Sequence, residues 1–261
     1  MTYDNTCKLL AETFPSDFAS WILGAPISFT KLEPTELSAE PIRADSLIFL
    51  ESSEIILHLE FQTTTDENMA LRMLDYWVRL HRKFPTKEIH QTVIYLKPTN
   101  SPLVHQNKFT SNQTNHKFHI IRLWEQPTAI FQQYQGLLPF IALSQTSNPE
   151  EALKQAAQQI KTITDKDIQG NITTATYIIS GLILNREIIH RLLRTDNMKE
   201  SITYQEILLE GKAEGLAEGL AEGEVRAANQ IALNMLRSGV SVNLISQFTG
   251  LSLEQIQQLQ N

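Results

Sequence analysis

Between Asp45 and Gln62 the chain reads Asp-Ser-Leu-Ile-Phe-Leu-Glu-Ser-Ser-Glu-Ile-Ile-Leu-His-Leu-Glu-Phe-Gln, and few folds accommodate that pattern. Two runs joined by a short polar turn at Glu51–Glu54 have the signature of a β-hairpin. The first run is almost wholly apolar after Asp45. The second, Ile55–Gln62, alternates with period two. Ile55, Leu57, Leu59 and Phe61 share one face, while Ile56, His58, Glu60 and Gln62 share the other. Leu59 and Phe61 flank Glu60, which places a carboxylate in the middle of a half-buried sheet. Burying an unpaired charge costs on the order of several kcal/mol, so Glu60 requires a partner.

A divalent cation would serve. Hard ions such as Mg²⁺ take oxygen ligands, typically one or two carboxylates completed by water and substrate phosphate. Asp45 and Glu60 form such a pair if the hairpin register brings them together. Gln62, on the face of Glu60, would then orient an attacking water. The plainer reading of the same spacing is a solvated sheet face, on which Glu and Gln are ordinary.

The flanking sequence supplies helices and further strands. Asp4–Leu23 is helical in spacing, with Leu9, Leu10, Phe14, Phe18, Trp21 and Ile22 recurring and Pro15 dividing it. Ile27–Leu32 reads as a strand. The Pro- and Glu-punctuated stretch Thr35–Arg43 is a connection, whose Glu36 is either an auxiliary acid near the metal or a solvated loop charge. Met69–Phe84 is the strongest helix. Met69, Met73, Trp77, Leu80 and Phe84 line its apolar side, and Arg72, Asp75, Arg79 and Arg82 the opposite side. Those arginines either contact phosphate or form a solvated face in which Asp75 pairs with Arg79, a contact contributing about 0.2–0.5 kcal/mol. Gln91–Leu96 and Phe118–Trp124 are strands separated by a polar loop. Its histidines, His105 and His116, lack metal-ligand spacing and read as loop residues.

Three stretches taken together resemble a known family. They are Glu36-Leu-Ser-Ala-Glu-Pro-Ile-Arg-Ala-Asp45, Leu-His-Leu-Glu60-Phe-Gln62, and the helix from Met69 to Phe84. In word order they resemble the Rpn group, the recombination-promoting nucleases (also labelled transposases) of the PD-(D/E)XK nuclease superfamily. The likeness runs from about Tyr3 to the Gly-Glu tail. It implies an α/β fold, a restriction-endonuclease-like core with a mixed central sheet flanked by helices, followed by an α-helical C-terminal region. It also implies metal ligation by Asp45 and Glu60, with catalysis by these two and the residue at position 62. The superfamily's usual lysine there is Gln62 in this chain. An ammonium stabilises developing negative charge, whereas an amide only orients and hydrogen-bonds. Either a neighbouring cation replaces that charge, in which case Arg72 is nearest in sequence, with Arg79 and Arg82 as further phosphate contacts, or the site depends more on its metal.

The function implied is Mg²⁺-dependent (alternatively Mn²⁺-dependent) hydrolysis of DNA phosphodiester bonds, linked to recombination or mobile elements. The rival reading is a catalytically inactive relative that binds nucleic acid or assembles with partners. The division expected is 1–145 nuclease core, 146–207 helical extension and 208–261 tail. The extension holds helices at Pro149–Thr164 and Thr173–Arg194. The tail opens with the repeat Glu210-Gly-Lys-Ala-Glu-Gly-Leu-Ala-Glu-Gly-Leu-Ala-Glu-Gly223. Each glycine there costs about 0.8–1.0 kcal/mol of helix propensity, so it is a linker or an oligomerisation helix. On the latter reading the chain forms a homo-oligomer. From Ser241 the tail resembles a helix–turn–helix, but Leu-Glu-Gln-Ile-Gln-Gln-Leu-Gln offers DNA no Arg or Lys.

Composition limits the setting. A formal net charge of −7 argues against a generally basic coat without excluding a local basic groove. A single cysteine forms no internal disulfide, the N-terminus lacks a signal pattern, and no apolar run nears the roughly 20 residues of a membrane span. A soluble cytoplasmic protein with no membrane partner is expected.

Overall fold

The computed structural model describes residues 3–31, 47–193, 229–236, 241–252 and 256, and the hairpin lies at the centre of its sheet. Strands β2 (Leu47–Glu51) and β3 (Ile55–Gln62) run antiparallel, with Leu47 opposite Glu60 and Glu51 opposite Ile56. Ser52 closes the turn. Its backbone N–H donates to the Ile55 carbonyl at 2.9 Å, and its hydroxyl accepts from the Ile55 N–H at 3.0 Å. Glu36 and Asp45 lie outside the described residues.

After β3 the helix carrying the arginines, Met69–Lys83, crosses one face of the sheet. The next strand, Glu88–Tyr95, thus returns parallel to β3, as a parallel pair requires. His58 then stands opposite Gln91, Glu60 opposite Val93 and Gln62 opposite Tyr95. With Thr30–Lys31 as β1, Glu88–Tyr95 as β4 and His119–Arg122 as β7, the sheet order is β1-β2-β3-β4-β7. Its first two pairings are antiparallel and its last two parallel. A separate hairpin joins β5 (Lys108–Thr110) to β6 (Asn115–Lys117).

Each sheet face has its own cover. Leu57, Leu59, Phe61 and Ile94 pack into the larger core with helices α1 (Tyr3–Thr13) and α2 (Pro15–Leu23). That core also takes in a 3₁₀ run, Gln135–Leu143, and helices further along the chain. Phe61 stacks on Phe140 at 5.9 Å and meets Phe18 edge-on at 6.2 Å. The opposite face receives the Met69–Lys83 helix, α3. Met69 and Met73 lie with Val93 and Tyr95, while Tyr76 and Leu80 lie with Phe49 and Ile56.

Beyond the sheet, helix boundaries follow caps more closely than apolar spacing. After the short helix α4 (Thr128–Gln133), α5 spans Pro149–Lys161. The expected helix Thr173–Arg194 is instead two, α6 (Lys166–Ser180) and α7 (Arg186–Leu193). Asp165 accepts from the N–H groups of Asp167 and Ile168, both at 3.0 Å, and thereby starts α6 seven residues early. Asn185 accepts from Ile188 N–H at 2.9 Å and starts α7. The expected strands Gln91–Leu96 and Phe118–Trp124 also shift. The first begins at Glu88 because pairing with Ile55–Leu57 proceeds whatever the side chains there, and the second ends in a 3₁₀ turn at Leu123–Glu125. The buried residues of α5 and α6, including Ala156, Ile160, Ile172 and Ile179, belong to the same core as β3.

By contacts the chain forms two units, Met1–Gln205 and Glu206–Asn261. The second is helical over 229–236 and over Val242–Thr249, with Ala232, Ile245, Leu251 and Ile256 buried together. Gly250, at φ 72°, turns the chain out of the Val242–Thr249 helix, a left-handed conformation that favours glycine. The Glu210–Gly223 repeat lies outside the described residues. No helix among the described residues is long and apolar enough to cross a membrane.

Gly136 marks the tightest approach in the larger core. Its N–H donates to Asp17 Oδ2 at 2.8 Å, and a methyl group there would stand 2.4 Å from Phe14 Cβ. Gly136→Ala should therefore cost about 1–3 kcal/mol in a urea titration, the usual range for overpacking. The loss should be smaller when Phe14→Gly, which removes that Cβ, is made first, because residues in contact are not additive. Equal midpoints for Gly136→Ala and the parent would contradict this packing.

Candidate active site

The polar face of β3 lies beneath α3. His58 is 0 % and Glu60 1 % exposed, so the sheet face that reads as alternately polar is closed to solvent at its centre. Gln62, at the strand's end, is half-buried. It shares the face with Glu60, and its Nε2 donates to Glu60 Oε2 at 3.3 Å.

The nearest guanidinium comes from the first turn of α3. Arg72 places one terminal nitrogen 3.6 Å from Glu60 Oε2 and the other 2.9 Å from Asp66 Oδ2. Asp66 also accepts from the Asn68 backbone N–H at 2.8 Å, so one carboxylate ties down both the entry to α3 and its arginine. Arg72 thus brings a positive charge beside Glu60 and Gln62, from the helix that follows them in sequence. Arg79 differs, pairing with Asp75 at 2.9 Å one turn along, and Arg82 is exposed.

On the other side of Glu60 a polar network runs inward from β6. Gln91 Nε2 donates to the Met73 carbonyl at 2.8 Å and lies 2.8 Å from His58 Nδ1. Its Oε1 lies 2.6 Å from His116 Nε2. A carbonyl only accepts, so the atom facing Met73 must be the amide nitrogen, and the rest of the network is fixed by that requirement. His116 carries its proton on Nε2, and His58 Nδ1 is an acceptor. The remaining His58 proton is therefore on Nε2, 3.8 Å from Glu60 Oε1, beyond hydrogen-bond range and with no hydrogen-bond partner. Burial pushes the His58 pKa below its ordinary value, opposed by the pull of the Glu60 carboxylate. Burial also lowers that of His116, helped by the nearby His58. Both shifts favour the neutral rings that this network needs.

Of the residues named from sequence, Glu60, Gln62 and Arg72 lie next to one another, while Asp45 and Glu36 fall outside the described residues. It assigns no part to Asp66 or Gln91 and treats His116 as a loop residue. His116 instead lies on β6, stacked obliquely on Trp77 at 5.6 Å. The one available signal was a glutamine opening an otherwise apolar strand. Among the described residues no three His, Cys, Asp or Glu side chains gather as a ready-made metal cage. The donor set nevertheless fits a hard cation that keeps most of its waters: a buried carboxylate, with a carboxamide on the same strand face.

A carboxylate buried as deeply as Glu60 burdens the fold. Glu60→Gln keeps the shape and removes the charge, so stability should be unchanged or rise by about 1 kcal/mol. Arg72→Ala withdraws a compensating cation and should lower stability by about 1–2 kcal/mol, after discounting for its partial exposure. Urea midpoints at constant slope measure both, and the reverse order would show that Glu60 is a structural charge.

Residues 225–261 match the family model described as the Rpn/YhgA-like nuclease family, C-terminal HTH domain. Neither the curated proteins nor the solved structures contain a match to the chain. The matched segment includes the Val242–Thr249 helix and the Gly250 turn, in the region where the sequence already resembles a helix–turn–helix. Over that C-terminal segment the chain is similar to the Rpn/YhgA-like nuclease family.

Proposed function

We propose that the chain is a metal-dependent DNA endonuclease that hydrolyses phosphodiester bonds at a PD-(D/E)XK-type site. The observation that carries this reading is Glu60, a carboxylate held at 1 % exposure in mid-strand with Gln62 and Arg72 both turned to it. Element order supports it: a helical segment, a three-stranded antiparallel run, a crossover helix and a parallel strand. The C-terminal match to a nuclease-family model supports nuclease chemistry in general.

Glu60 and Asp45 would hold Mg²⁺ or Mn²⁺. Asp45 stands two residues before Leu47, the register partner of Glu60. A bound divalent ion would acidify a water and neutralise charge on the phosphate. The protein's own groups then divide the remaining tasks. Gln62 donates to Glu60 through Nε2, leaving its Oε1 to accept from and orient a water. Arg72 supplies the fixed positive charge for a phosphate oxygen. The matched tail contributes little to phosphate attraction, since residues 225–261 contain only Arg226 and Arg237 as cations, beside Glu254.

Purified protein should nick supercoiled plasmid with Mg²⁺ or Mn²⁺ and fail with EDTA. Asp45→Ala and Glu60→Ala should each abolish nicking while retaining the fold. A variant of either kind that cuts at the parent rate in saturating metal would remove that residue from the site. Parent protein that binds DNA without cutting under any metal would favour the rival reading, a nuclease-fold binding module, for which the Gln62 departure is the supporting feature.

The cation's origin is tested separately. Arg72→Ala should reduce cleavage about 10²–10³-fold, the scale of losing one charge-stabilising donor. Adding Gln62→Lys should partly restore it, whereas Gln62→Lys alone should be neutral or harmful beside an intact Arg72. Undiminished cleavage by Arg72→Ala would return that residue to the solvated helix face.

A further inference from the structure

The metal reading gives no part to His58, although His58 is the side chain most tightly specified on the polar face. It is wholly buried, with Phe49 at 4.9 Å and Tyr76 at 5.3 Å between ring centroids. An imidazole in such a setting would ordinarily be replaceable by an apolar ring, since a buried donor without an acceptor is costly. Here Nε2 is such a donor, and it is aimed at Glu60.

Two roles are open to a histidine beside a metal-binding carboxylate. It ligates the ion itself, or it donates a hydrogen bond to the ligand. The Met73 carbonyl decides between them. To ligate through Nε2, neutral His58 would have to carry its proton on Nδ1. That proton would then point at Gln91 Nε2, which is itself a donor and is committed to Met73 at 2.8 Å. Two donors cannot share that contact. Reversing the Gln91 amide offers no escape, because it would set an amide oxygen against the Met73 carbonyl and deprive His116 Nε2 of its acceptor. The ring is therefore held with its proton toward Glu60.

We propose that His58 is a positioning residue for Glu60: its Nε2–H, locked by the Met73–Gln91–His116 network, engages Glu60 Oε1 when a divalent cation draws the carboxylate into place. This rests on the metal reading of Glu60. The separation of 3.8 Å between Nε2 and Oε1 means that a carboxylate movement of about 1 Å completes the bond, giving a normal N–H···O length. Partners of this kind, one step outside the metal's own ligands, typically change metal affinity by about 10–100-fold.

Calorimetric titration of the full chain with Mn²⁺ alone provides the test. His58→Phe fits between Phe49 and Tyr76 and should match or exceed the parent's urea stability, yet bind Mn²⁺ about 10–100-fold more weakly. His58→Gln places an amide N–H near the position of Nε2 and should recover much of that loss. Equal Mn²⁺ affinity in the parent and in folded His58→Phe would overturn the role, leaving the metal reading intact. No Mn²⁺ binding by the parent would overturn both.

A measurement on unmodified protein decides the matter if His58→Phe does not fold. In ¹⁵N-histidine-labelled protein, His58 should show the Nε2–H tautomer. Its Nε2 resonance should move on titration with Mg²⁺, while that of exposed His119 stays fixed. An Nδ1–H tautomer, or a His58 signal unmoved at metal saturation, would overturn the proposal.

Discussion

A carboxylate with 1 % exposure in the middle of a central strand is the constraint from which the rest of this architecture follows. Glu60 has apolar neighbours before and after it in sequence and a helix laid across it. The charge survives there because polar groups converge on it from separate places. Arg72 comes from the helix above, Gln62 from the same strand, and His58 faces it from one pleat away. Arg72 would not be near Glu60 without α3 laid over the sheet, and the Gln91 that fixes His58 would not face it without the parallel return of β4. A fold that places such a charge at its centre, and surrounds it with groups that are themselves fixed, sacrifices stability for a defined electrostatic environment.

The two faces of β3 divide the work. Leu57, Leu59 and Phe61 enter a core shared with the N-terminal helices and with α5 and α6, where Phe18, Phe61 and Phe140 interlock through their rings. That packing fixes the strand's height and twist on one side. Consequently the polar side chains on the other side start from a rigid backbone. Rigidity matters at this spacing, because Gln62 and His58 each reach Glu60 by one side-chain length, and a slip of one residue in register would turn all three to the wrong face.

How much of this was legible follows from the distances over which each contact is encoded. The β2–β3 turn, the common face of Glu60 and Gln62, and the approach of Arg72 depend on short-range periodicities, and these survive reading from sequence. The His58–Gln91 contact spans 33 residues and exists only because a parallel crossover sets His58 opposite Gln91. Nothing in local periodicity determines that register. His116 was hidden for a similar reason, its strand being three residues long. The helices past residue 149 failed differently. Their apolar pattern runs on through positions where Asp165 and Asn185 impose new starts, so capping chemistry overrode the hydrophobic spacing. The expected ligand Asp45, the auxiliary Glu36 and the Gly-Glu repeat lie outside the described residues, and their parts remain those implied by resemblance.

The neutral residue at position 62 makes sense once the surrounding charges are considered as a set. On the proposed ligand arrangement, Asp45, Glu60 and Asp66 contribute three negative charges and Arg72 one positive charge. The remainder equals the charge of one divalent ion. A lysine at position 62 would leave only one net negative charge against the ion's two positive ones, and would set a second cation close to Arg72. Glutamine avoids both effects while retaining a donor for Glu60 and an acceptor for water. On this reading the fixed cation sits on the crossover helix as a guanidinium whose two terminal nitrogens face different carboxylates, one toward Asp66 and the other toward Glu60. The departure from the usual lysine is then a redistribution of charge between strand and helix, with Asp66 as the residue that makes it workable.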